Sequence, residues 1–204
     1  MLTIPVFVHI ILAGTGLILA IRRRSFAMLA VYFAAVIVID GAGLAVLNFG
    51  SPEAYRLYFL LAELTHNIAL LALTVQLVAD LVPERWAVPW LVFWFTLIAA
   101  GIVHYGLSTS TDGLLNVSTA LSFGTAGMLL VTIVAPSVQW RRHQTLAAWG
   151  ILFVLLAVAA PELPLLSGQE TLKACFQWCD LPGLLLLVFS GSARPTQTRP
   201  QVAG

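Results

Sequence analysis

The stretch AELTHN, residues 62–67, carries a carboxylate and an imidazole three positions apart within a long apolar segment. Residues three apart are neighbours on a helix surface, so Glu63 and His66 are predicted to point the same way, with Asn67 beside them. Ionisable side chains in an apolar helix are costly unless they face the interior and find partners. The stretch therefore predicts an inward-facing polar site.

Other polar residues in the apolar segments could join this site. The candidate pocket residues are His9, Asp40, Glu63, His66, Asn67, His104 and Asp180, with Asn116 and Glu162 as candidates for the rim. A metal ion would need three or four His, Cys or carboxylate ligands. The residues that could supply them are His9, Glu63, His66, Cys175 and Cys179. Because no HExxH or CxxC motif is present, a purely structural hydrogen-bond network explains the same residues.

The composition indicates the environment of these residues. The chain has 204 residues, of which 60% are hydrophobic and 9% charged, and its mean hydropathy is +0.95. An ordinary soluble domain carries about 25% charged residues. We therefore expect an integral membrane protein whose surroundings are the lipid bilayer, with no room for a separate soluble domain.

Seven apolar runs approach the ~20 residues that a helix needs to cross a bilayer. They cover residues 2–21, 25–48, 55–80, 86–107, 113–138, 145–165 and 172–190. Membrane-spanning strands would instead alternate apolar and polar residues over about 10 positions. The predicted fold class is all-α, a seven-transmembrane-helix bundle over residues 1–190. The polar remainder, residues 191–204, is predicted to be a disordered cytoplasmic tail.

The basic residues predict the orientation of the bundle. Eight of the ten fall on one side of the seven runs: Arg22, Arg23, Arg24, Arg85, Arg141, Arg142, Arg194 and Arg199. Only Arg56 and Lys173 fall on the other side. Cytoplasmic loops carry the excess of basic residues, so the N-terminus is predicted outside and the C-terminus in the cytoplasm. The charges follow the first apolar run, so this run is predicted to be an uncleaved helix.

The rise of a helix converts these positions into depths below the outer surface. At about 1.5 Å per residue, Glu63 lies ~12 Å deep and His66 ~16 Å deep. The other depths are ~12 Å for Asp40 and Asp180, ~9 Å for His9 and ~5 Å for His104. No further ionisable residue occurs below them until Asp80, near the cytoplasmic end. The sequence thus predicts one polar layer around a cavity in the outer half of the bundle.

Small residues on the fifth run predict close helix packing. Ser118, Ser122 and Ala126 recur at four-residue spacing beside Gly124 and Gly127. Such a face lets two helix backbones approach closely. We therefore expect the fifth helix to occupy a central position.

Several functional classes leave no signature in the chain. It has no GxSxG, Walker or GxGxxG motif and no basic aromatic surface, so nucleic acid is not an expected partner. A proton or ion pathway would need titratable groups across the whole bilayer, whereas the predicted layer stops halfway. An enzyme or a small transporter is therefore not the first interpretation.

Two segments carry a resemblance to a known kind of protein. They are AIRRRSFAMLAVYFA at residues 20–34 and SPEAYRLYFLLAELTHNIALLALTVQLV at residues 51–78. With seven helices and an external N-terminus, the chain resembles, over about residues 1–190, the seven-helix membrane modules of bacteria that are free-standing or precede sensor histidine kinases. The resemblance implies a sensing role in the bacterial cytoplasmic membrane. It also implies output through a partner protein or a homo-oligomer, since the tail is too short for a kinase.

Two functions therefore compete at this point. One is a small-ligand-sensing or scaffold subunit, and the other is a metal- or haem-binding redox subunit of the membrane. The sequence itself requires no cofactor, and it does not identify the ligand.

Overall fold

The computed structural model describes residues 3–23, 27–108, 113–135, 140–159, 169 and 178–192. All regular structure in these ranges is helical. The seven helices are α1 (Thr3–Arg23), α2 (Ala27–Phe49), α3 (Pro52–Leu81), α4 (Glu84–Ser108), α5 (Gly113–Val134), α6 (Arg142–Ala159) and α7 (Asp180–Ser192). The prediction of an all-α fold is confirmed.

Five helices contain stretches that are long and apolar enough to cross a membrane. These stretches are Ala27–Phe49, Pro52–Leu81, Glu84–His104, Asn116–Val134 and Arg142–Ala159. Two shorter apolar stretches, Val6–Arg22 and Asp180–Ser192, lie in α1 and α7. Most of the stretch from residue 160 to residue 177, which includes the corner at Glu162, lies outside the described residues. Most of the predicted tail does so as well. The α7 helix runs to Ser192, two residues into the predicted tail.

The start of α3 lies at Pro52 rather than at residue 55 because the chain carries helix-start signals there. Ser51 precedes the helix, and its side-chain oxygen accepts a hydrogen bond from the Ala54 N–H at 3.2 Å. Proline suits the first helical position, and Glu53 complements the positive end of the helix dipole. These signals fix where α3 begins and therefore the register of the residues that follow.

A tight turn at Val82 and Pro83 joins α3 to α4. The residue before a proline avoids the helical conformation, and Val82 is extended. The next helix starts at once, because the Trp86 N–H donates to the Pro83 carbonyl at 2.8 Å. The turn therefore places the first residues of α4, including Arg85, beside the end of α3.

The helix α3 occupies the middle of the bundle, the position predicted for the fifth helix. It packs against α2, α4, α5 and α6, whereas α1 packs against α2 and α7, and α7 packs against α6. Leu70, Leu73 and Leu77 follow one face of α3 and are fully buried. This central helix carries the AELTHN stretch, so its polar residues can reach several neighbouring helices.

Small residues bring two pairs of helices into close contact. A Cβ on Gly127 would lie 3.2 Å from the Trp94 ring on α4, in agreement with the close packing predicted for the fifth helix. A Cβ on Gly183 would lie 2.9 Å from the Gly150 carbonyl oxygen, so the backbones of α6 and α7 touch. The second pair positions α7, whose first residue belongs to the candidate site.

Successive helices run antiparallel, as the contacts of Gly150 with Leu187 and of Val154 with Gly183 show for α6 and α7, and this gives the bundle two distinct ends. We call the basic end the one that carries Arg22, Arg85, Arg141 and Arg142. Two contacts show that the start of α2, the end of α3 and the start of α6 lie at this end as well. The Met28 N–H at the start of α2 donates to Gln76 near the end of α3 at 2.9 Å, and Asp80 interacts electrostatically with His143 and Arg141.

Candidate functional site

Three helices bring one histidine between two carboxylates, away from the basic end. The Nδ1 atom of His9 on α1 lies 3.8 Å from Oδ2 of Asp40 on α2. Its Nε2 atom lies 3.6 Å from Oδ2 of Asp180, the first residue of α7. Because α1 packs against both α2 and α7, these three predicted residues meet at one point.

The charges at this point do not balance. Two carboxylates face one imidazole, so the group is negative even with His9 protonated whenever both carboxylates are ionised. Both separations also exceed the roughly 2.7–3.2 Å of an N–H···O hydrogen bond. Oδ2 of Asp40 is buried and accepts no hydrogen bond from any residue that the structure describes. A buried carboxylate oxygen without a donor is costly, so this atom gains most from an added donor or cation.

The three side chains are nevertheless not sealed inside the bundle. Their exposed fractions are 22% for His9, 18% for Asp40 and 25% for Asp180. In an ion pair enclosed by the core, the exposed fraction of each side chain would be near zero, as it is for Leu70 and Leu73 on α3. A small molecule can therefore approach this group without unfolding a helix.

A tyrosine and the second histidine extend the group toward α3. The Tyr32 hydroxyl on α2 lies 3.0 Å from Nε2 of His66, and the two rings are 5.5 Å apart. Tyr32 is fully buried, so its hydroxyl needs this partner. The charge of Asp180 acts on both side chains, and that of Asp40 acts on Tyr32. The pair therefore belongs to the same electrostatic neighbourhood as His9.

We call this set the carboxylate–histidine cluster. It comprises His9, Tyr32, Asp40, His66 and Asp180, from α1, α2, α3 and α7. The cluster gathers four ionisable residues from the predicted pocket, together with a tyrosine that the sequence reasoning did not select.

Tyr58 ties α3 to α2 directly beside the cluster. Its hydroxyl donates to the Ile39 carbonyl at 2.9 Å, one residue before Asp40. A side chain at Gly43 would collide with the Tyr58 hydroxyl, so glycine is required for this approach. The contact fixes the end of α2, and with it the position of the Asp40 carboxylate.

A second polar group joins α3 to α5, and it contains the other half of AELTHN. The Ser118 hydroxyl donates to Oε1 of Glu63 at 3.1 Å and accepts from Nδ2 of Asn67 at 2.6 Å. Ser122 donates to the Ser118 carbonyl at 3.1 Å. Asn67 and Ser118 are both about 1% exposed. We call this set, Glu63, Asn67, Ser118 and Ser122, the α3–α5 network.

Glu63 and His66 therefore form hydrogen bonds to different helices, contrary to the expectation that they point the same way. At about 100° per residue, positions three apart differ by about 60° around a helix, whereas positions four apart differ by about 40°. On a helix with a neighbour on most sides, 60° is enough to change the neighbour. Glu63 and Asn67, four apart, meet the same serine, while His66 meets Tyr32.

The other predicted residues occupy separate positions. His104 is exposed on α4 rather than turned to the bundle interior. Asn116 and Cys179 are half-buried. Cys175 and Glu162 lie outside the described residues. The predicted single layer from five helices is thus two polar groups around α3 and an exposed histidine.

The arrangement bears on the metal hypothesis as well. Within the ranges that the structure describes, no group of three or more His, Cys, Asp and Glu side chains is arranged to hold a metal ion. His9 and His66 lie in the cluster, whereas Glu63 accepts a hydrogen bond from Ser118 on α5. Among the described candidates, the predicted ligand set His9, Glu63, His66 and Cys179 therefore does not form one metal site.

Sequence reasoning missed the tyrosines, although a signal for Tyr32 was present. That signal is the hydroxyl itself, because a tyrosine hydroxyl in an apolar helix needs a partner. Spacing adds no signal, since Tyr32 lies eight residues before Asp40 and about 80° away around α2. The hydroxyl of Tyr58 donates to a backbone carbonyl on another helix, which no side-chain pattern indicates.

The chain matches no protein-family model, no curated protein and no solved structure.

Proposed function

We propose that this chain is a multi-pass protein of the bacterial cytoplasmic membrane that senses a small cationic ligand and acts through a partner protein. Its N-terminus lies outside and its C-terminus in the cytoplasm. Five helices that are apolar enough to span a membrane support insertion, and the concentration of arginines at the basic end supports the orientation. With this orientation, the carboxylate–histidine cluster lies in the outer half of the bundle.

One observation carries the ligand class. Asp40 and Asp180 present two carboxylates to the single imidazole of His9, and Oδ2 of Asp40 is buried without a donor. A small cation supplies the missing positive charge and, if it is an ammonium, the missing hydrogen-bond donor as well. The partial exposure of the three side chains gives the cation access.

The cluster also supports a way for binding to reach the rest of the bundle. A ligand shifts a conformational equilibrium only by its difference in affinity between two states. A cation between Asp40 and Asp180 would draw α2 and α7 together and would replace His9 as their shared counter-charge. Since both helices continue to the basic end, their relative position is what a partner there would read.

The described residues favour sensing over transport. Between the cluster and Asp80 at the basic end, α3 presents the buried side chains of Leu70, Leu73 and Leu77. Thr74, a polar side chain buried among them, donates to the Leu70 carbonyl of its own helix at 2.8 Å. This face supports a closed packing surface rather than a path for ions.

Thermal unfolding of the purified chain in detergent tests the ligand class. Ammonium, methylammonium and choline form one arm of the test, and sodium, potassium, calcium and zinc ions form the other. We expect at least one cation to raise the unfolding temperature of the parent in a saturable way, and we expect His9→Gln to change that response. The matched control is His104→Gln, which removes an exposed imidazole outside the cluster.

An unchanged unfolding temperature with every cation would contradict the proposed ligand class. An equal change of response in His9→Gln and His104→Gln would show that the effect does not arise at the cluster. The two arms separate an ammonium site, in which donors matter, from a site for bare metal ions.

Reporter fusions test the proposed orientation. A reporter after residue 204 should be active only in the cytoplasm, and one that replaces residues 109–112 should be active only outside. A fusion after residue 204 that is active only outside would contradict the orientation.

A further inference from the structure

A groove at the basic end contains no residue of the carboxylate–histidine cluster or of the α3–α5 network. It has a volume of about 320 Å³ and opens where α3 ends, α4 begins and α5 ends. Its lining includes Pro83, Arg85, Trp86, Trp90, Thr132 and Ala135. We call it the basic-end groove. The turn at Val82 and Pro83 forms part of its wall.

The charge at the mouth of the groove favours an anion. Arg85 is exposed, and its guanidinium forms no ion pair with any residue that the structure describes. The acidic residues nearby are its neighbour Glu84 and Asp80, which interacts with His143 and Arg141. A free guanidinium presents donors in a planar fork that fits the oxygens of a phosphate.

One residue of the groove wall, Trp90, adds an unused donor. The indole N–H groups of Trp90 and Trp94 are buried, and neither has a hydrogen-bond partner among the described residues. The two rings meet edge to face, 6.2 Å apart, and Trp90 lines the groove. Buried indole N–H groups usually find an acceptor, so a natural occupant of the groove should carry one.

An exposed guanidinium, an unsatisfied indole N–H and apolar walls together fit an amphiphile. Trp86, with 58% of its surface exposed, lies at the entrance as an interfacial aromatic residue does. We propose that the basic-end groove binds an anionic phospholipid. Its phosphate lies at Arg85, and its ester carbonyl and upper acyl chain lie against Trp90. This proposal does not depend on the cation site at the other end of the bundle.

Lipid binding to the purified full-length chain in detergent tests the proposal. Native mass spectrometry would compare dioleoyl phosphatidylglycerol with dioleoyl phosphatidylcholine, and thermal unfolding would compare both with inorganic phosphate. We expect the parent to bind the anionic lipid about tenfold more tightly than the zwitterionic one, because phosphatidylcholine carries the same phosphate but adds a trimethylammonium that the Arg85 guanidinium repels. Inorganic phosphate should give no comparable stabilisation, because it has no acyl chain.

Three variants separate this groove from general attraction to the basic end. Arg85→Gln should abolish the preference for the anionic lipid, whereas Arg142→Gln, at another exposed arginine of the same end, should retain it. Trp90→Phe, which removes only the indole N–H and some ring area, should weaken both lipids. Each unfolding temperature is compared with that of the same variant without lipid, so a change in basal stability does not enter.

Several outcomes would overturn the proposal. Equal binding of the two lipids, or an unchanged preference in Arg85→Gln, would remove the role of Arg85. An equal loss in Arg142→Gln would indicate unspecific charge attraction. Stabilisation by inorganic phosphate as large as that by the anionic lipid would show that the ligand of the groove is a free phosphate ion. If Arg85→Gln fails to fold, Arg85→Lys replaces it, and an undiminished affinity for the anionic lipid in that variant would contradict a fork-shaped phosphate contact.

Discussion

The two polar groups each contain residues of the stretch AELTHN on α3, but they differ in how well their partners fit. In the α3–α5 network, Asn67, Ser118 and Glu63 are joined by hydrogen bonds of 2.6 and 3.1 Å. In the carboxylate–histidine cluster, the nitrogens of His9 lie 3.6 and 3.8 Å from two carboxylates. The first group is held by direct hydrogen bonds to mostly uncharged partners, although Oδ1 of Asn67 is buried without a donor among the described residues. The second is partly open and carries excess negative charge.

This difference indicates which polar residues stabilise the bundle and which could bind a ligand. Interhelical hydrogen bonds between neutral groups stabilise membrane helix pairs modestly but reliably. A buried carboxylate without a donor costs stability, and proteins retain such strain mainly where it serves a function. We therefore assign a structural role to the α3–α5 network and a binding role to the cluster.

The largest expected effect on stability comes from breaking the α3–α5 network. Asn67→Leu removes the donor to Ser118 and leaves a serine hydroxyl short of one partner in a buried position. We expect the free energy of unfolding to fall by about 1–2 kcal/mol, the upper part of the range for such bonds in membranes. Denaturation in detergent would measure it, with Thr65→Val, at an exposed threonine of α3, as the control. No loss relative to that control would contradict the structural role.

A smaller loss of stability is expected for His66→Leu, which removes a side chain of the carboxylate–histidine cluster. The variant leaves the fully buried Tyr32 hydroxyl without its partner at 3.0 Å. We expect a loss of about 1 kcal/mol, because one neutral hydrogen bond is removed. The double variant with Tyr32→Phe should recover most of this loss, since neither unpaired group then remains. A double variant that is less stable than His66→Leu would contradict the pairing.

Glu63→Gln should have the smallest effect. The amide oxygen of glutamine can accept the same hydrogen bond from the Ser118 hydroxyl, so the network keeps its geometry. We expect a change within about 0.5 kcal/mol and an unaltered response to cations. Thermal unfolding with and without the active cation would measure both. A loss of the cation response would place Glu63 in the binding site. It would contradict the assignment of separate roles to the α3–α5 network and the cluster.

The fold could be predicted from the sequence further than the site could. Continuous apolar runs predict the helices, and their bounds differ mainly where a local signal overrides hydropathy, as Ser51 and Pro52 do at the start of α3. The bundle order could not be predicted in the same way. Nothing in the small-residue stripe of α5 indicates that α3 takes the central place, because packing neighbours depend on all the helices together.

Within the site, the residue types were predictable, but their pairing was not. Depth along the helices correctly brought His9, Asp40 and Asp180 to a similar level, because depth follows from counting residues. The rotation of each helix about its axis is set by packing, so the sequence could not tell that Glu63 would meet Ser118 and His66 would meet Tyr32. For the same reason the exposure of His104 was missed.

The most direct test of the division compares the cation response of three forms of the protein: the parent, Asp40→Asn and Asn67→Leu. Asp40→Asn removes the buried charge, so its unfolding temperature without ligand should be equal to or above that of the parent, while the rise caused by the cation should disappear. Asn67→Leu should unfold at a lower temperature and keep the full rise. If Asp40→Asn keeps the cation response, or Asn67→Leu loses it, the cluster is not the binding site and the account is contradicted.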